Sequence, residues 1–143
     1  MFPLEAQVIE ASLARTATDA DGTVGAGILG AGEAQAVEFE LDVTAAATEV
    51  DDTLDAFIQT TIDGTNWIDV VAFTQVLGNG GAKRHVAKIL RSEPQAMFEA
   101  SATLAAGSIR HILGKRYRAR WVITDAGADN ASFTFSVTAN FLP

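Results

Sequence analysis

The sequence predicts an all-β protein: an antiparallel β-sandwich, jelly-roll-like, of about eight strands, with an extended N-terminal arm. Three observations carry that expectation. Apolar and polar residues alternate with a period of two through the clearest patterned segments, Gly, Asn and Asp punctuate the chain between them, and helical periodicity is nearly absent. Residues 1–34 read as an arm plus a Gly/Ala-rich loop, and residues 35–143 as the sandwich domain.

Taken in order, the first strand candidate is Gln7 to Thr16. Ala11 to Gly32 holds only four large apolar residues, Leu13, Val24, Ile28 and Leu29. Four are too few to offset a backbone ordering cost of ~1 to 2 kcal/mol per residue. The segment is therefore expected to order against a neighbour, with Gln7, Val8, Ile9 and Leu13 adding as a strand to an exposed sheet edge. The competing reading makes Gln7 to Thr16 the first strand of its own sandwich.

From Val37 to Val43 the run Val-Glu-Phe-Glu-Leu-Asp-Val places Val37, Phe39, Leu41 and Val43 on one face and Glu38, Glu40 and Asp42 on the other. That is a half-buried antiparallel strand. Leu54 to Ile62 and Trp67 to Val76 follow, joined across Asp63-Gly64. Asn79-Gly80-Gly81 leads to Arg84 to Leu90. Both turns supply residues that tolerate positive φ. Ser92-Glu93-Pro94-Gln95 spells a one-turn capping box, yet Met97 to Leu104 alternates like a strand, and the two readings stay open. Ser108 to Leu113 is a further candidate. Arg116 to Thr124 sets Arg116, Arg118 and Arg120 against Tyr117, Ala119 and Trp121, an arginine ladder on an outer face. Phe133, Phe135, Val137, Ala139 and Phe141 alternate with Ser132, Thr134, Ser136, Thr138 and Asn140 in the last strand. Shared parity makes Phe39, Leu41, Trp121, Phe133, Phe135 and Val137 the expected inter-sheet core.

Composition narrows function mainly by exclusion. The 143 residues contain no cysteine, which excludes thiolate metal sites, disulfides and a cysteine nucleophile. The formal charge of −8 opposes non-specific nucleic-acid or anionic-membrane binding. No apolar stretch approaches the ~20 residues of a membrane span. The start lacks a basic and apolar leader pattern, so synthesis and use in a cytoplasm are expected. Residues 1–80 hold 14 acids and one base, Arg15, while residues 81–143 hold nine bases and four acids, giving −13 and +5. Complementarity within the domain is the plainer reading of that split. The other is complementarity between neighbouring copies in an assembly.

Few motifs survive scrutiny. Gly25-Ala-Gly27-Ile-Leu-Gly30 spells a dinucleotide fingerprint without the preceding strand and following helix that it needs, and reads as a flexible loop. His85 and His111 lie in strand candidates without metal spacing and read as solvent-facing or satisfied. Asp19/Asp21, Asp51/Asp52/Asp55 and Asp125/Asp129 are acid clusters that calcium or plain turns would explain, and none follows the EF-hand order. Arg116, Arg118 and Arg120 would grip an anion only with interleaved exposed aromatics, so pairing with Glu38/Glu40/Asp42 is expected instead. Trp67 is either a hairpin core anchor or a sugar-stacking platform.

The stretch Ile58 to Val70 with its Asp63-Gly64 turn and Trp67, then Phe73, Gly114 to Thr124 and Phe133 to Val137, resembles small β-sandwich accessory proteins of tailed-bacteriophage virions, among them head decoration or cement proteins. The similarity covers roughly Leu54 to Leu142. It implies a non-enzymatic, cofactor-free virion component, made in a bacterial cytoplasm, that binds the major capsid protein as an oligomer, a homotrimer being favoured. Gln7, Val8, Ile9, Leu13, Arg116, Arg118 and Arg120 are the interface candidates. A carbohydrate-binding or adhesin module using Trp67, and a tail or head-fibre component, are the alternatives.

Overall fold

A computed structural model describes residues 6–16, 23–127 and 130–143. Among them eleven strands form: β1 (Gln7–Thr16), β2 (Thr23–Val24), β3 (Ile28–Leu29), β4 (Ala36–Ala45), β5 (Thr53–Thr61), β6 (Trp67–Ala72), β7 (Val76–Leu77), β8 (Lys83–Leu90), β9 (Ser108–Ile109), β10 (Arg116–Thr124) and β11 (Ser132–Leu142). No helix forms among these residues.

The strands make two antiparallel sheets. One has the order β1-β11-β4-β8; the other runs β2-β10-β5-β6-β9, with β3 also on β10 and β7 on β5. Alternation explains the partition of side chains. Val37, Phe39, Leu41 and Val43 from β4 and Phe133, Phe135, Val137, Ala139 and Phe141 from β11 turn inward to meet Tyr117, Ala119, Trp121 and Ile123 from β10. Aromatic contacts cross the gap between sheets. The rings of Phe39 and Tyr117 are 5.4 Å apart, those of Tyr117 and Phe141 5.8 Å, and Trp121 meets Phe135 edge-on at 5.6 Å. The expected core residues are all buried in this one cluster.

Both hairpin turns take the expected form. Gly64 has φ +88° between β5 and β6, and Asn79 (φ 60°) and Gly81 (φ 74°) precede β8. Residues 92–107 form turns and coil, so neither the capping-box helix nor the strand over Met97 to Leu104 is present, and Ser108 to Leu113 shortens to the two residues of β9.

The N-terminal expectation needs correction. Gln7–Thr16 is no free arm but the edge strand of the first sheet, paired antiparallel with β11 from Gln7↔Ala139 to Thr16↔Ser132 through two register shifts. Ile9 enters the core. Arg15, 7% exposed, donates from Nη1 to the carbonyls of Phe135 (2.6 Å) and Leu13 (2.9 Å). Its Nη2 donates to the carbonyl of Ala11 (2.8 Å) and to Glu10 Oε2 (3.2 Å), and its guanidinium lies 4.2 Å from the Phe135 ring centroid. Counting apolar residues missed this because the segment is tied down by backbone pairing and a buried, saturated arginine.

The Gly/Ala segment is likewise packed, not flexible. Gly25 N–H donates to Ala119 O and Gly30 N–H to Lys115 O. At Gly27 (φ +80°) a Cβ would come within 2.3 Å of Tyr117 O. The glycine spacing serves close backbone approach to β10, not a phosphate.

Two outcomes follow. Deleting residues 1–16 removes Ile9 and Arg15, and should cost more than about 3 kcal/mol, lowering the melting temperature by roughly 10 °C. An unchanged melting temperature would restore the arm. Tyr117, the chain's single tyrosine, is 1% exposed, and its burial pushes the phenol up to about 12. The unfolded phenol ionises near pH ~10, so above that pH the unfolded state holds fewer protons and stability falls as pH rises toward 12. Absorbance titration of the folded protein should show phenolate only near pH 12, and in denaturant near pH ~10; ionisation near 10 in the native state would contradict the packing.

Candidate functional site

The outer face of the second sheet gathers the arginine ladder and Trp67 into one place. In register, Arg116, Arg118 and Arg120 of β10 stand beside Thr61, Gln59 and Phe57 of β5, and Thr61 and Gln59 stand beside Trp67 and Asp69 of β6. Three columns of outward side chains therefore touch. Arg118 places its guanidinium carbon 4.2 Å from the Trp67 ring centroid, and Arg120 lies 4.6 Å from that of Phe57.

A polar network ties the columns together. Arg118 Nε donates to Gln59 Oε1 at 2.8 Å, and Gln59 Nε2 donates to Asp69 Oδ1 at 2.8 Å. The other Asp69 oxygen accepts Leu104 N–H at 3.1 Å and lies 3.8 Å from Arg120 Nη1. Asp69 and Gln59 are buried although they belong to the outer face, because residues 98–104 fold back over them. Arg110 holds that strap down: it donates to the carbonyls of Asp69 and Ala102 and stacks 4.1 Å from Phe98. Burial, followed by the neighbouring Arg120 charge, holds the Arg118 pKa below its usual value, with Asp69 opposing. Between strap and sheet remains a polar pocket of about 200 Å³, lined by Gln59, Trp67, Asp69, Arg120 and residues 100–103.

This arrangement corrects three expectations. The arginines do not pair with Glu38, Glu40 and Asp42. Those acids lie in the other sheet, where they face Lys88, Val86 and Arg84 of β8, with Arg84 bonded to Glu40 at 2.7 Å. Aromatics do interleave with the arginines, but across strands rather than along β10. Trp67 is neither an inter-sheet core anchor nor an open platform, since a guanidinium covers its ring. Gln59, Asp69, Phe57 and Arg110 were not singled out in the sequence. The available signal was an aspartate inside the apolar run Trp67 to Phe73.

The other interface candidates lie elsewhere. Gln7, Val8, Ile9 and Leu13 belong to β1 in the first sheet; Val8 and Leu13 are exposed at 56% and 62%, and Ile9 is buried. His85 is half-buried in β8, where it lines a groove with Phe73 and Ile109, and His111 accepts Leu90 N–H at Nδ1 (3.0 Å), a satisfied histidine just past β9. Of the acid clusters, Asp19, Asp21 and Asp129 lie outside the described residues. Asp55 accepts from Gln75. Oxygens of Glu49, Asp52 and Asp125 lie within 4.8 Å of one another, a spacing a divalent cation could use. Turn bonding already positions two of them, since Asp52 Oδ1 accepts Ala126 N–H and Asp125 Oδ1 accepts Gly127 N–H. At the β5–β6 turn, Asp63 accepts from the backbone of Asn66 and Thr65, which holds its carboxyl well below the usual range.

Replacing Asp69 by Ala would strand the Gln59 amide, Leu104 N–H and Arg120 together. The expected cost is about 3 kcal/mol in denaturant titration, with faster hydrogen exchange at Leu104 as the strap loosens. Unchanged exchange there would show that Asp69 does not hold the strap. No protein-family model matches the chain, and no curated protein matches its sequence.

Proposed function

We propose that this chain is a non-enzymatic structural protein of a tailed-bacteriophage virion, a decoration or cement protein that binds the capsid surface as an oligomer and stabilises contacts between capsomers. The observation that carries this reading is the first sheet's two edge strands, neither of which pairs with a further strand among the described residues. β1 presents exposed Val8 and Leu13, and β8 presents Val86 at 67% exposure among basic residues. Open edges with exposed apolar side chains are sites of chain-to-chain pairing. The strand order β1-β11-β4-β8 against β2/β3-β10-β5-β6 supports the jelly-roll description, an architecture suited to capsid-associated modules.

The engagement of Arg118 and Arg120 with Trp67, Phe57, Gln59 and Asp69 favours protein assembly over capture of a free anion, since these cations are already partnered. It also weakens the carbohydrate alternative, because stacking a sugar on Trp67 would require displacing Arg118. A homotrimer clamping the major capsid protein is the assembly this reading favours.

The test begins with the neighbouring genes: a major capsid protein found among their products is co-expressed with this chain. Assembled shells should carry the protein through sedimentation at saturable stoichiometry and gain heat resistance. Protein left entirely in the supernatant would overturn the proposal.

A further inference from the structure

The free edge of β8 has an unusual division of labour. Arg91 N–H donates to Gln35 O and so points toward β4, whereas Leu90 N–H donates to His111 Nδ1 and so points away from it. The β4–β8 register runs without a shift from Ala36↔Leu90 to Val43↔Lys83. Antiparallel alternation then directs the N–H and C=O groups of Arg84, Val86 and Lys88 to the open side. His111 closes the upper end of this edge, and among the described residues no strand pairs with the three outward residues below it.

The side chains define what that strand must be. Arg84, Val86 and Lys88 share the outer face, so an added strand would set its own outward residues beside two cations and an exposed valine. Its inward residues would enter the groove between β8 and the β6–β9 edge, about 340 Å³, lined by Phe73, His85, Ala87 and Ile109. A second copy of β8 does not fit. Antiparallel pairing centred on Val86 would put Arg84 opposite Lys88 twice, a like-charge arrangement that opposes self-association.

We infer that the β8 edge binds an extended segment of a different protein in which apolar residues alternate with acidic ones, as a fifth strand on the first sheet. The inference rests on the assembly reading above and names the kind of partner segment it uses. The chain itself contains a model for the occupant. β4, Val37-Glu-Phe-Glu-Leu-Asp-Val43, already pairs with the other side of β8, with Glu38 opposite Lys88 and Glu40 bonded to Arg84.

The probe is a fluorescein-labelled synthetic peptide of residues 36–45, compared by anisotropy with a counterpart in which Glu38, Glu40 and Asp42 are lysine. The full-length protein should bind the acidic peptide at least tenfold more tightly than the basic one. Val86→Pro removes an outward N–H and fixes φ at ~−65°, a change an edge strand tolerates, and should weaken binding at least tenfold with little change in melting temperature. Lys88→Glu carries the test should the proline variant fail to fold, and should reverse the peptide preference. Equal binding of both peptides, or binding by Val86→Pro at wild-type strength, would overturn the inference. Concentration-dependent dimers abolished by Val86→Pro would overturn the choice of a foreign partner. Wild-type loading of Val86→Pro onto shells would refute the edge while sparing the virion assignment. Peptide binding without any shell loading would support the edge and refute that assignment.

Discussion

The packing of β4 and β11 against β10 is the constraint on which every other feature depends. Phe39, Tyr117 and Phe141 form one continuous aromatic contact across the sheets, and Trp121 with Phe135 forms another. Because strand side chains alternate, fixing these inward residues fixes the outward ones with no further choice. Once Tyr117, Ala119 and Trp121 are buried, Arg116, Arg118 and Arg120 must face out. Once Phe39 and Leu41 are buried, Glu38, Glu40 and Asp42 must do the same. A slip of one residue in either strand would bury charges, so the register is strongly determined.

Outward charges on the two sheets are handled differently. On the second sheet they are consumed locally: Asp69 accepts from Gln59 and Leu104 and faces Arg120, so the strap of residues 98–104 closes on a satisfied network. Buried polar groups cost little when every partner is supplied, and the cost returns in full when one is removed. On the first sheet the charges stay at the surface, in rows of acid on β4 and base on β8. The bonds of Arg84 to Glu40 and of Arg120 toward Asp69 both join an acid from residues 1–80 to a base from residues 81–143. The split of charge along the chain is thus answered in part within the domain.

The two edges of the first sheet also differ physically. β1 carries two register shifts and a buried arginine that takes up several carbonyls, features that blunt an edge. β8 is regular and unshifted, closed at its upper end by His111 and guarded below it by positive charge. Positive charge discourages pairing with its own kind and leaves an acidic partner as the compatible one.

The amino-acid sequence by itself determined the fold class, the parity of the long strands, the six core residues singled out by alternation and the Asp63-Gly64 and Asn79-Gly80-Gly81 turns. All of these are local properties, written in spacings of two and in residues that tolerate positive φ. Tertiary structure alone decided the rest. That β10 and β4 belong to opposite sheets, so that the arginine and glutamate ladders never meet, is a matter of strand order and leaves no trace in either strand's pattern. The same holds for Gly27 and Gly30, whose need is the approach of the distant backbone at Gly114, Lys115 and Tyr117. It holds as well for Arg15 and Asp69, whose burial depends on the Phe135 carbonyl and the Leu104 amide, groups that folding alone brings within reach. Alternation reports which face a residue takes; only packing supplies the partner on that face.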